Sequence, residues 1–196
     1  MKKIDLKLLY KILTAVLIAF WISFTCAFIV YFAERRLYPL KYAEQIEKYC
    51  AETDLNDYLV YSVIKVESDF KADAVSRKGA TGLMQLTSAT AEYVASLNGI
   101  KSFELTLPED NIRLGCLYLR YLFDKFSDAD VSLAAYNAGE GNAIEWLSDK
   151  RYSDDGKTLK AIPFKETDEY VKKINKTLIK YKNLYFNIVD KSVFFE

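Results

Sequence analysis

The chain has 196 residues and a mass of 22.6 kDa, room for one domain of ordinary size and a short appendage. Lys and Arg number 27, as do Asp and Glu, so there is no basic excess of the kind that binds nucleic acid by counterion release. Hydrophobic residues make up 51% of the chain, which excludes a disordered polymer, and histidine is absent, which removes Ser-His-Asp and Cys-His triads and His-ligated zinc. Proton transfer in any enzyme built on this chain falls to Asp, Glu, Lys, Tyr or Cys.

In chain order, the first element is an apolar run from Ile12 to Ala33 without a charge. As a helix it spans about 33 Å, enough to cross a bilayer core of about 30 Å. Lys2, Lys3, Lys7 and Lys11 precede it, and Arg35, Arg36 and Lys41 follow it. The charge bias favours a cytoplasmic N-terminus. The run is too long for a usual signal-peptide core and no A-x-A site follows it, so it reads as a retained signal anchor. Residues 1–11 are then a cytoplasmic N-terminus, 12–33 the transmembrane segment, and 34–41 a linker containing Pro39.

From residue 42 onward the pattern is helical almost throughout. Tyr42–Glu52 makes a short helix, and Asn56 or Asp57 caps a second that ends near Glu67. Residues 68–81 carry turn chemistry. Thr87 or Ser88 caps a helix that Asn98-Gly99 stops. Pro108-Glu109-Asp110 opens a helix to Phe126 that is apolar on nearly every side and is therefore the central buried one. Asp128–Ala138 is another helix, ended by Gly139, and Asn142–Leu147 is short. Residues 151–160 form a small hairpin or a loop. Thr167 is placed as the N-cap of a long last helix with Val171, Ile174, Leu178, Tyr181, Tyr185 and Ile188 on one stripe. The fold expected is all-α, in one domain after the N-terminal helix.

Three cysteines, Cys26, Cys50 and Cys116, show no C-x-x-C spacing. Cys50 and Cys116 read as two buried free thiols, with pairing open if both lie close together outside the cytoplasm.

Glu67 continues the stripe of Val60, Val63 and Ile64, so a carboxylate falls on the core side of a helix end. Burial there raises its pKa toward the range a general acid needs. A frayed helix end with the carboxylate in water is the competing reading. Gly79-Ala80-Thr81-Gly82-Leu83-Met84-Gln85 is a turn that aims one amide, Gln85, at a cleft, or simply a turn. Ala134-Ala135-Tyr136-Asn137-Ala138-Gly139 offers a flat aromatic face and an amide near a helix terminus. Asp69 is a solvated or capping acid.

Glu67-Ser68-x-Phe70, Gly82-Leu83-Met84-Gln85 and Ala135-Tyr136-Asn137-Ala138-Gly139 together resemble the three signature motifs of soluble-lytic-transglycosylase-type (SLT) domains, family 1 lytic transglycosylases of the lysozyme-like superfamily. Ile162-Pro163-Phe164-x-Glu166-Thr167-x-x-Tyr170-Val171 is similar to that family's closing motif, and Asn111-Ile112 with Gly115-x-x-Tyr118-Leu119 to its central helix. Ser88 stands where the family often has proline. The resemblance covers about residues 42–182 and identifies 42–196 as the SLT-type domain.

The resemblance implies a lysozyme-like fold that cleaves the MurNAc-β-1,4-GlcNAc bond of peptidoglycan and leaves 1,6-anhydro ends. Glu67 matches the family's single catalytic acid. Ser68 and Gln85 are given supporting roles, Met84 a sugar-packing role, and Tyr136, Asn137 and Tyr170 positions around the glycan, with Tyr170 near Glu67. No metal or cofactor is implied. The partners expected are peptidoglycan strands, the membrane through one helix, and wall-spanning or division machinery. A hydrolytic muramidase on the same fold, or a wall-binding module that does not cut, are the alternatives.

Overall fold

A computed structural model describes residues 6–186. Lys2, Lys3 and Ile188 lie outside the described residues. The chain divides into two units, Met1–Pro39 and Leu40–Glu196.

The first unit is one helix, α1 (Leu6–Leu37), none of whose residues is buried. By length and composition it suits a bilayer. Its two threonine hydroxyls bond within the helix: Thr14 donates to the Tyr10 carbonyl at 3.1 Å and Thr25 to that of Trp21 at 2.8 Å. The helix outruns the apolar segment at its C-terminal end. It continues through Arg35 and Arg36, so the linker expected at 34–41 is helical as far as Leu37. Charge ends a hydrophobic run without ending a helix. The break comes at Pro39, which disfavours helical geometry in the residue before it.

The second unit is all-α. In order it holds α2 (Ala43–Thr53), α3 (Asp57–Glu67), α4 (Ser88–Leu97), α5 (Pro108–Phe126), α6 (Ala129–Ala138), α7 (Glu140–Ser148) and α8 (Lys165–Tyr181), followed by a π-helical turn, Lys182–Phe186. Among the described residues the only extended pairing is two isolated bridges, Val75 with Thr81 and Thr81 with Leu86.

Helix α5 is central. Ile112, Leu114, Gly115, Cys116, Tyr118, Leu119 and Leu122 are all buried, and it packs against α2, α4 and α6. Helix α8 lies along α3 and α6, burying Val171, Ile174 and Tyr181. Cys50 on α2 and Cys116 on α5 are buried free thiols in contact with each other, and that contact together with burial pushes the Cys50 thiol far up.

Side-chain caps open α4 and α6, whereas Asn56, at the start of α3, makes no side-chain cap bond. The Thr87 hydroxyl accepts from Thr90 N–H at 3.2 Å, and the Asp128 carboxylate accepts from Val131 N–H at 2.9 Å. Gly139, at φ 91°, closes α6 and opens α7 at once, so α7 starts at Glu140 and not at Asn142 as its pattern suggests. Thr167 is not the cap of the last helix. Phe164 is the extended residue, α8 begins at Lys165, and Thr167 sits in the first turn, where its hydroxyl donates to Asn137 Oδ1 at 2.9 Å. Residues 151–160 are a loop, not a hairpin. Asp155 organises it by accepting from Lys157 N–H and Thr158 N–H, both at 2.8 Å, which holds its carboxyl well below the usual range.

Candidate active site

The site begins at the C-terminal end of α3. Val60, Val63 and Ile64 bury one face of that helix, and the same face carries Glu67 at its last turn. The chain then reverses sharply, with Asp69 at φ 51° and Phe70 at φ 62°. Two consecutive non-glycine residues in the left-handed region are uncommon and cost backbone energy. Phe70 is compensated by burial against Tyr61, 6.3 Å between ring centroids. Asp69 is exposed and ion-paired with Lys65, which bears out its reading as a solvated acid.

The loop that follows forms one wall of a cleft, and its own side chains hold it. Ser68, 7% exposed, donates its hydroxyl to the Leu83 carbonyl at 2.8 Å, tying the helix end to the glycine loop. Gln85, at φ 48°, donates its amide N–H to the carbonyls of Ala74 at 3.0 Å and Gly82 at 2.9 Å. Buried Asn111, on α5, clamps the loop from behind. Its Oδ1 accepts from Met84 N–H at 2.7 Å, and its Nδ2 donates to the carbonyls of Thr81 at 2.9 Å and Leu105 at 2.8 Å.

Gly82 is required twice over: its φ is +83°, and a Cβ there would lie 2.1 Å from Asn111 Nδ2. Gly115 leaves the room that Met84 fills, since a Cβ would lie 2.2 Å from Met84 Sδ. The Met84 side chain is fully buried and packs on Gly115.

The opposite wall is built from helix ends. The Tyr136 hydroxyl, near the end of α6, donates to the Met84 carbonyl at 2.7 Å and so bridges the two walls. Asn137 is held by Thr167 of α8. Between the walls lies a cleft of about 330 Å³, lined by Glu67, Gln85, Tyr136 and Asn137, together with Tyr118, Arg77, Lys78, Thr90 and Glu166 among others. Four of the seven side chains expected at the site thus share one cleft. Ser68 and Met84 lie behind its loop wall, and Tyr170 lies beneath Glu67.

The electrostatics centre on Glu67. Burial pushes its carboxyl up to about 7, while the Tyr170 hydroxyl and the Lys173 ammonium, both on α8, work in the opposite direction. The Tyr170 hydroxyl is buried and makes no well-formed hydrogen bond; the group it faces is the Glu67 carboxyl. Tyr136 and Tyr170 are both held protonated, first by burial and then by the nearby Glu67 charge.

The sequence does not mark Asn111, Arg77, Lys78 or Glu166 as individual site residues. Asn111 and Glu166 stand inside motif-bearing stretches, but the two cations carry no motif signal at all.

Residues 44–159 match the family described as the transglycosylase SLT domain. The soluble lytic murein transglycosylase of Salmonella typhimurium is 32% identical over 143 residues, covering 70% of this chain and 22% of that protein. The lytic transglycosylase Slt of Pseudomonas aeruginosa, solved as an inactive glutamate-to-glutamine mutant, matches with a TM-score of 0.67 at 33% identity, over 79% of this chain and 26% of that one. The 70-kDa soluble lytic transglycosylase of Escherichia coli matches with a TM-score of 0.70 at 28% identity, over 78% of this chain and 26% of that one. The chain spans about a quarter of the length of these relatives. A match over more than half of the chain, on a lysozyme-like all-α fold shared with these structures, makes it a member of the transglycosylase SLT domain family.

Proposed function

We propose that the chain is a membrane-anchored lytic transglycosylase that cleaves the β-1,4 bond between N-acetylmuramic acid and N-acetylglucosamine in peptidoglycan. The observation that carries this reading is the Glu67 carboxyl, desolvated in the cleft wall and pushed up to about 7. A group that titrates near neutrality is matched both to give and to take a proton.

Protonated Glu67 donates to the glycosidic oxygen as the C1–O bond breaks. Positive charge develops at C1 of the muramic residue, where the substrate's own N-acetyl oxygen stabilises it. The Glu67 carboxylate then accepts the proton of the C6 hydroxyl, whose oxygen bonds to C1 and closes the 1,6-anhydro ring. The acid is regenerated and no water is consumed. Tyr136 and Asn137 offer a ring face and an amide to the glycan. Ser68, Gln85 and Met84 serve by holding the loop wall. Tyr170 keeps the carboxyl from rising further. Residues 12–33, within α1, serve as a single-pass anchor, with residues 1–11 in the cytoplasm and residues 42–196 facing the wall.

A second reading, a hydrolytic muramidase, draws on Glu166, a second carboxylate lining the same cleft. Hydrolysis through paired carboxylates uses one as acid and the other to activate water or form a covalent intermediate. The two outcomes are separated by incubating the full chain in detergent micelles with purified peptidoglycan, beside its Glu67→Gln form, and identifying the products by mass spectrometry. Anhydro-muramic ends made only by the wild type support the proposal. Reducing ends establish the hydrolase, and equal digestion by both forms removes Glu67 from the chemistry.

A further inference from the structure

The cleft mouth carries two cations that the mechanism above does not use. Ser76 O accepts from Gly79 N–H at 3.0 Å, making a tight turn with Arg77 and Lys78 at its two central positions. Two further bonds lock the turn, Ser76 N–H to Ala80 O at 2.8 Å and Ala80 N–H to Ser76 Oγ at 3.0 Å. Both side chains are therefore projected from a rigid corner, and both line the cleft that holds Glu67.

Neither cation is committed to a strong partner. Among the described residues Arg77 has no ion pair. Lys78 has one, to Glu166 across the cleft at 3.7 Å, with the two side chains 84% and 77% exposed. A pair so open to water contributes little and exchanges readily.

If the chain cleaves peptidoglycan as proposed, which is the reading this inference rests on, its ligand is a neutral sugar polymer with acidic appendages. The glycan hydroxyls and N-acetyl groups carry no charge. The carboxylates sit on the peptides attached through the lactyl group of each muramic residue, beside the bond to be cut. A neutral strand gives paired cations nothing to recognise, whereas an acidic peptide does, and a guanidinium binds a carboxylate in bidentate fashion. We infer that Arg77 and Lys78 form a carboxylate-reading pair that selects glycan strands bearing acidic stem peptides, the peptide carboxylate replacing Glu166 as the counter-ion of Lys78.

The test compares the full chain in detergent micelles on two substrates, glycan strands with their peptides and the same strands stripped by an amidase, with the lactyl carboxylates that the cut exposes capped as neutral methyl amides. The quantity read is the preference, kcat/KM on peptide-bearing strands divided by that on stripped strands. The wild type is expected to prefer peptide-bearing strands, less so as salt rises. The double variant R77Q/K78Q should lower that preference by about five-fold, the scale of one or two partly exposed charge contacts. R77K/K78R should keep most of it. No preference in the wild type, or the same preference in R77Q/K78Q, overturns the inference. Equilibrium binding of both substrates to the Glu67→Gln chain keeps the two claims apart. Should the wild type cut neither substrate, the transglycosylase reading falls, while a binding preference lost in R77Q/K78Q still upholds the pair.

Discussion

The two walls of the cleft are made in opposite ways. The wall from Ser68 to Leu86 is irregular, and three polar side chains brace it: Ser68, Gln85 and, from behind, Asn111 bond to the loop's own backbone. The wall formed by α6 and α8 is regular, and its last or first helical turns present Tyr136, Asn137 and Glu166 to the space between. Apart from Arg77 and Lys78 on its turn, the first wall uses its polar groups to hold a shape, while the second brings helix-borne groups to the edge of the cleft. Glu67 stands at the joint, on the last turn of a helix and at the first residue before the irregular wall.

The joint is where a change should matter most. Glu67→Gln keeps the shape of the carboxyl group and loses the proton. Muropeptide release should fall by about 10³-fold or more, as expected for loss of the general acid and base together.

The holding wall should break at its clamp. Asn111→Ala leaves Met84 N–H and two carbonyls without their partner in a buried place, a loss of about 3–5 kcal/mol in chemical denaturation. Gly82→Ala should act in the same direction, through strain and the clash with Asn111. Tyr136→Phe, by contrast, removes one bond between the walls and should lower stability by about 1 kcal/mol.

The desolvated carboxyl also makes stability depend on pH. Its pKa is about 7 in the folded chain against 4.5 ordinarily, so the folded state holds a proton that the unfolded state has lost. Its effect on stability is favourable below about 4.5, declines as pH rises through about 7, and leaves a cost above that. Glu67→Gln should therefore raise the melting temperature by a few degrees at pH 8, with the gain gone at pH 4, as followed by calorimetry. The smallest effect is expected at Tyr170. Tyr170→Phe removes a group that lowers the Glu67 pKa, so the alkaline limb of the kcat/KM profile should move to higher pH.

What the sequence discloses divides along the same line. The helix starts at Pro108 and Ser88, and the stop at Gly139, are local backbone chemistry and are visible in order. Glu67 on an apolar stripe is visible too, because a helix face is periodic. Which way a side chain faces in an irregular loop is not periodic. The motif flags Ser68, Met84 and Gln85 as important, yet only the folded chain shows the first and last bonded to backbone and Met84 packed on Gly115. Asn111 looks like one polar residue on a central helix until the loop closes over it. Thr167 has the chemistry of a cap, but Pro163 and Phe164 start the helix earlier and free its hydroxyl for Asn137. Arg77 and Lys78 look like solvated charges, since the residues that make the rest of their cleft, Tyr136, Asn137 and Glu166, are far away in the chain.

The most direct test is the titration of Glu67 itself, read by the carboxyl carbon signal in the folded full chain labelled at glutamate and assigned by its loss in Glu67→Gln. A midpoint near 7, coinciding with the pH dependence of turnover, is the result expected of a lone desolvated acid. A midpoint near 4.5, the ordinary value, with turnover following another group, would contradict the account.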